Sequence, residues 1–323
     1  MKALILTQKD APLHYGEASK PEAAAGEVLV QLHAAALNRR DWWITQGQYP
    51  GIVYPIILGS DGAGVAEGRE VILNPAIDWG ENPAYPSKSF QILGLPKNGT
   101  LAEWVAVSQR QVYDKPAHLN MEQAAALPLG GLTAFRAVFT KGQLRAGEKV
   151  LVTGAGGGVA LLAIQLALAA GAQVWVTSGS DEKIERTRSM GCQGGANYCE
   201  ADWSKQLQQQ AGGFDLIVDS AGGEGFGLFP KICNPGARIV TYGGTLGPIS
   251  SLSPQPVFWK QLSILGTSMG TDQEFADMVQ FVSQHGIVPV VDRVYELADG
   301  QSAFDQIGRG GQFGKVVVSL EGR

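Results

Sequence analysis

Residues 154–160 read Gly-Ala-Gly-Gly-Gly-Val-Ala and stand between the apolar run EKVLVT (148–153) and the alanine-rich run VALLAIQLALAAG (159–171). Glycine permits the tight turn and close backbone approach that a pyrophosphate needs. The first N–H groups of a following helix add partial positive charge. A second apolar run, QVWVTS (173–178), completes strand, glycine turn, helix and strand, the context in which such a turn binds a dinucleotide. Gly154, Gly156, Gly157, Gly158 and Val159 are therefore the candidate phosphate-binding residues. Ala160 is small enough to let helix and strand pack closely.

An acidic side chain near the end of the second strand would hold the ribose hydroxyls of NAD. Here that place carries Ser178, followed by Gly179, Ser180 and Lys183, with Arg186 one turn further. A ribose 2′-phosphate is repelled by an acid and attracted by hydroxyl donors and a lysine, so the sequence favours NADPH. Ser180 also reads as the N-cap of a helix beginning at Asp181, with Lys183 as a solvated surface charge, and a cap does not exclude a phosphate contact.

These residues need a scaffold, and 323 residues suit two domains better than one. The composition, 45% hydrophobic and 17% charged with 43 glycines, is that of a globular protein with many tight turns. A net charge of −5 argues against a nucleic-acid surface. Cys192, Cys199 and Cys233 have neither disulfide-framework nor zinc-knuckle spacing, which fits a reducing cytoplasm. No run approaches the length needed to cross a bilayer, and the N-terminal apolar run is too short for a secretory signal.

The first 115 or so residues are rich in strand signals: LILT, EVLVQLHAAAL, GAGVA, REVILNP and TLAEWVAV, separated by turn-forming stretches. From about residue 125 to 269, strands alternate with helices, which predicts a parallel sheet covered on both faces. From 270 to 323, a helix, a strand, a short helix and a terminal strand suggest a return to the first domain. The expected division is 1–124, 125–269 and 270–323.

With these pieces placed, the chain resembles the medium-chain dehydrogenase/reductase superfamily over nearly its whole length. It is most similar to the zinc-independent quinone oxidoreductases and alkene reductases. The motifs are AAALNRRDWW (34–43), PIILGSDGAG (55–64), ALPLGGLTAFRA (126–137), the glycine turn with its helix, and FGKVVV (313–318). The resemblance implies an α/β protein: a β-rich GroES-like catalytic domain, split between the chain ends, plus a doubly wound Rossmann domain.

Zinc-dependent relatives have Cys where this chain has Asn38, and His-Glu where it has Ser60-Asp61; residues 74–90 contain none of their structural cysteines. Thiolate and imidazole are what hold zinc, so neither zinc site is expected. Hydride transfer to quinones or α,β-unsaturated carbonyls tolerates the loss of a Lewis acid, because charge spreads along the conjugated system. The resemblance places Asn38 and Thr133 near the nicotinamide, Asp41 near Asn38, Tyr242, Gly243, Gly244 and 267–270 near the same half of the cofactor, and Lys315 near its phosphates. Where many zinc-free relatives carry Tyr, this chain has Trp43, which can stack on a flat acceptor but cannot supply a proton. Tyr54, Tyr49 or water is left as proton donor. Residues 62–73 lack about ten residues usual in the family, so a hairpin there looks trimmed.

Two other functions compete. A 2-enoyl thioester reductase would need a basic track, for which Arg39 and Arg40 are the candidates, and a catalytically silent NADPH-binding sensor would bind cofactor without turnover. The sequence does not give the oligomeric state; the resemblance implies a possible homodimer through the edge strands of the Rossmann sheet, with 256–266 as the candidate edge segment and a monomer with that edge covered as the alternative.

Overall fold

The computed structural model describes residues 1–321 and divides into two compact units, Thr133–Ser268 and Met1–Leu132 with the chain from Met269 onward. The nucleotide-type unit is built on apolar, β-branched runs. Its six strands, Lys149–Val152, Gln173–Ser178, Gly194–Asn197, Phe214–Asp219, Cys233–Thr241 and Ser263–Gly266, are all parallel. In space they run third, second, first, fourth, fifth, sixth. That order reverses the chain direction between the first and fourth strands and opens a crevice at their carboxyl ends. Helices Gly158–Ala169, Asp181–Ser189 and Trp203–Ala211 make crossovers. One face buries Trp175, Phe214, Phe226 and Phe229, large rings that exclude water from the sheet.

The other unit centres on a seven-stranded sheet. Val112–Asp114, Arg69–Leu73, Asp61–Ala66, Glu27–Ala36, Lys315–Ser319 and Val291–Glu296 follow in that order, and Trp104–Ser108 also pairs with Glu27–Ala36. Burial alternates along the first half of Glu27–Ala36, the period-two pattern of a strand with one face in the core. The C-terminal strand pairs antiparallel with Glu27–Ala36, Val317 facing Ala36, so the two chain ends share one sheet.

Three features differ from the sequence reading. The first boundary falls at 132/133 rather than 124/125, because Met121–Ala125 packs on the β-rich sheet and the Leu129 N–H donates to Asp61 Oδ1 at 2.7 Å. The run 256–266 is part helix, Pro254–Trp259, and only Ser263–Gly266 is strand; two prolines favour the first helical turn and cannot join a ladder. The short strands His14–Glu17 and Gly194–Asn197 carry no apolar alternation and gave no sequence signal.

Candidate functional site

The glycine turn sits at the carboxyl end of Lys149–Val152. Gly154 and Gly156 have φ of 70° and 116°, the region where a side chain is strained. A Cβ on Gly154 would lie 2.7 Å from Ser220 Oγ. Gly157 caps the helix that begins at Gly158, with Val159 in its first turn, so the N–H groups of the turn lead directly into a helix N-terminus. This turn is the candidate pyrophosphate cradle.

The adjacent strand ends complete this edge. Asp219 accepts from Thr153 Oγ1 at 2.8 Å and the Gly222 N–H at 3.0 Å; burial pushes its carboxyl up, and these bonds oppose the shift. Burial holds the Tyr242 hydroxyl well above the usual phenol range, and the Tyr242 N–H donates to the Asp219 carbonyl at 3.0 Å. Gly243 and Gly244 follow it, with a Cβ on Gly243 only 2.5 Å from the Ser220 carbonyl. Thr267 Oγ1 is buried without a hydrogen-bond partner among the described residues, an open polar group at the end of the last strand.

At the end of the second strand the expectation for Ser178 needs correction. Its side chain is buried, and its hydroxyl donates to the Ala155 carbonyl and accepts from the Ser180 N–H, so it ties the glycine turn to the strand rather than facing a ligand. Ser180 is the N-cap, accepting from the Lys183 N–H. Sequence reasoning missed Tyr198, whose half-exposed ring lies against Gly179: a Cβ there would meet its hydroxyl at 2.8 Å. The signal available was a glycine kept between two serines.

The β-rich unit holds a second cluster, produced by strand register. Ala36 pairs with both Asp61 and Val317. Two residues beyond Ala36 and two before Val317, Asn38 and Lys315 therefore meet. Lys315 Nζ donates to Asn38 Oδ1 at 2.6 Å and to Asp61 Oδ2 at 2.8 Å, and Asn38 Nδ2 donates to the same carboxylate oxygen at 2.9 Å. This overturns the assignment of Lys315 to cofactor phosphates, because its ammonium is buried on a carboxylate. Asn38 also caps the helix Arg39–Thr45, its N–H donating to Asp41 Oδ2 at 2.8 Å. With both amide atoms bonded, its side chain is a strut.

Arg40, equally buried, donates through Nη1 to Ser60 Oγ at 2.6 Å and the Leu93 carbonyl at 3.2 Å. Burial raises Asp41 to about 6, opposed chiefly by Arg40, whose Nη1 lies 3.6 Å from Asp41 Oδ1. Arg39 donates to the Ile307 and Gly308 carbonyls at the end of helix Gly300–Arg309. Trp42, Tyr49 and Tyr54 pack on the hydrophobic core, whereas Trp43 is half-buried and outside that cluster. Thr133 is buried in the helix Pro128–Phe135.

A β-rich unit and a parallel-sheet Rossmann-like unit in one chain make a two-domain α/β protein. The chain belongs to the medium-chain dehydrogenase/reductase superfamily. The alcohol dehydrogenase GroES-like domain family matches residues 24–117 and the zinc-binding dehydrogenase family matches 158–284. A zinc-type alcohol dehydrogenase-like protein, YogA, of Leptosphaeria maculans is 36% identical over 96% of this chain and 95% of its own. Quinone oxidoreductase of Mus musculus is 31% identical over 93% of this chain and 91% of its own. A crystal structure of an NAD-dependent alcohol dehydrogenase superposes with a TM-score of 0.94 at 34% identity, covering 99% of this chain and all of that one. No helix among the described residues is long and apolar enough to cross a membrane.

Proposed function

We propose that this oxidoreductase uses NADPH to reduce quinones or α,β-unsaturated carbonyls, without zinc. The observation that carries the reading is the buried Asn38–Asp61–Lys315 network, which stands where zinc-dependent relatives place metal ligands. Asn38 and Ser60 supply no thiolate or imidazole, and a cation there would have to displace Lys315 from Asp61 and Arg40 from Ser60. These residues do not fit zinc. No cluster of three or more His, Cys, Asp or Glu fit to hold a metal occurs among the described residues.

The nicotinamide, when bound, supplies hydride. Gly154–Gly158 fit its pyrophosphate. Preference for NADPH over NADH rests on the absence of an acid at Ser178, with Lys183, Arg186 and Tyr198 close in sequence or space. A conjugated acceptor suits a site whose polarising groups are protein cations.

The thioester alternative loses its basic track, since Arg39 is engaged on the Ile307 and Gly308 carbonyls and Arg40, held on Ser60 and Leu93, stands as a single cation. The assembly we propose is a homodimer through the strand Ser263–Gly266, whose outer edge lacks a partner strand among the described residues. Exposed Ile264 lies on it, and Phe258 and Trp259 on the preceding helix are exposed too.

The test follows NADPH or NADH oxidation by chelator-treated protein offered a benzoquinone, a naphthoquinone, a linear enone and crotonyl-CoA, and reduction of the oxidised cofactors by ethanol. Chelator-resistant oxidation selective for NADPH with quinone or enone is expected. Activity with ethanol alone, lost on chelation, would overturn the reading; tight NADPH binding without turnover would favour the sensor.

A further inference from the structure

Arg40 is more than nine-tenths buried, and the fold leaves its hydrogen-bonding capacity largely unused. Both of its bonds, to Ser60 Oγ and the Leu93 carbonyl, leave from Nη1. Nε is buried with no acceptor among the described residues, and Nη2 has no hydrogen-bond acceptor among them. A guanidinium carries five donors in a rigid fork, and one kept purely for structure is ordinarily matched by a carboxylate or several carbonyls.

Its charge is equally under-matched. The nearest carboxylate oxygen, Asp41 Oδ1, lies 3.6 Å from Nη1, beyond a good hydrogen bond, and itself has no hydrogen-bond partner. Asp61 already answers Lys315 through Oδ2, while its Oδ1 accepts the Leu129 N–H. On the remaining side Arg40 faces the ring of Tyr49 at 5.5 Å. Two cations are thus seated on the two positions that distinguish this chain from zinc-binding relatives, Lys315 on Asn38 and Arg40 on Ser60. Lys315 is paired with a carboxylate at 2.8 Å, and Arg40 has no carboxylate within hydrogen-bond distance.

We infer that Arg40 is a catalytic residue, the electrophile that takes the place of a Lewis acid: it binds the acceptor's carbonyl or quinone oxygen and stabilises the negative charge that forms there. Ser60 and the Leu93 carbonyl fix the guanidinium through one amino group and leave the other to donate. The inference rests on the quinone or enone reading. In that reaction hydride adds to the conjugated carbon, the π electron pair shifts to oxygen, and Arg40 donates an N–H to that oxyanion. A proton from solvent then completes the two-electron reduction, and the cofactor leaves oxidised. Low dielectric around a buried cation makes such a contact far stronger than in water.

The test compares wild type with Arg40→Gln and Arg40→Lys, each checked for folding by thermal unfolding. One readout is independent of turnover: binding of para-nitrophenol, an oxyanion mimic whose phenolate absorbs visible light. Wild type should bind the phenolate about tenfold or more tightly over the neutral phenol, and Arg40→Gln should lose that preference. In turnover, Arg40→Gln should lower kcat about a hundredfold or more with NADPH affinity unchanged, and Arg40→Lys should retain part of the rate. A folded Arg40→Gln with wild-type kcat, or wild type with no phenolate preference, overturns the inference; the second outcome decides even where the variants fail to fold. Absence of quinone and enone turnover in wild type overturns the functional reading instead, and the phenolate result still decides whether Arg40 is an oxyanion site.

Discussion

Lys315 Nζ and Asp61 Oδ2 lie 2.8 Å apart across 254 residues of sequence, with side-chain exposures of 4% and 0%. Neither charge has water to return to, so each depends on the other and on Asn38, which bonds both.

Removing one partner should be costly. Lys315→Met leaves the buried Asp61 carboxyl without its cation, and is expected to destabilise the protein by about 3–5 kcal/mol. Adding Asp61→Asn should recover much of the loss, because no buried charge is then orphaned. Urea unfolding of the two single variants and the double variant measures the coupling; additive losses would show that the pair acts independently.

Asp41 predicts a stability that depends on pH. Its folded value, raised from 3.8 to about 6, exceeds the unfolded one, so between those values the folded chain binds more protons. Stability from this group is therefore full below about pH 4 and is lost as pH rises through about 6. Asp41→Asn should remove the slope, a difference of about 3 kcal/mol between the two proteins across that window. Thermal unfolding of both from acid to neutral pH reads it; parallel curves would refute it.

The cofactor edge gives two variants with different signatures. Lys183→Ala should weaken NADPH about tenfold and leave NADH unchanged, since only the former carries a 2′-phosphate. Gly154→Ala should weaken both, because its φ of 70° and the 2.7 Å approach to Ser220 Oγ leave no room for a methyl. Fluorescence titration with the two cofactors separates these outcomes, and equal losses from Lys183→Ala would remove the basis for NADPH preference.

Trp259, 78% exposed, and Phe258, 52% exposed, precede the edge strand Ser263–Gly266. If that edge joins two copies, Trp259→Glu should shift the mass measured by light scattering from dimer to monomer with the fold intact. A wild-type monomer at micromolar concentration would rule the dimer out.

Local chemistry is legible in the residue types alone. The glycine turn is legible because φ values near 70° and 116° exclude most other residues. Strand and helix alternation announced the parallel sheet, and Asn38 and Ser60 declare in their own atoms that they are not thiolate or imidazole. The tertiary structure decided everything that depends on register. Lys315 meets Asn38 because Val317 pairs with Ala36, a one-residue slip of which would turn the ammonium to the other face of the sheet. Ser178 turned inward because Ala155 offers it a carbonyl, and Arg39 found the end of a helix 268 residues away. The same convergence seated Arg40 on Ser60. Residue type fixes what a side chain can do, but long-range strand pairing fixes which other groups it meets.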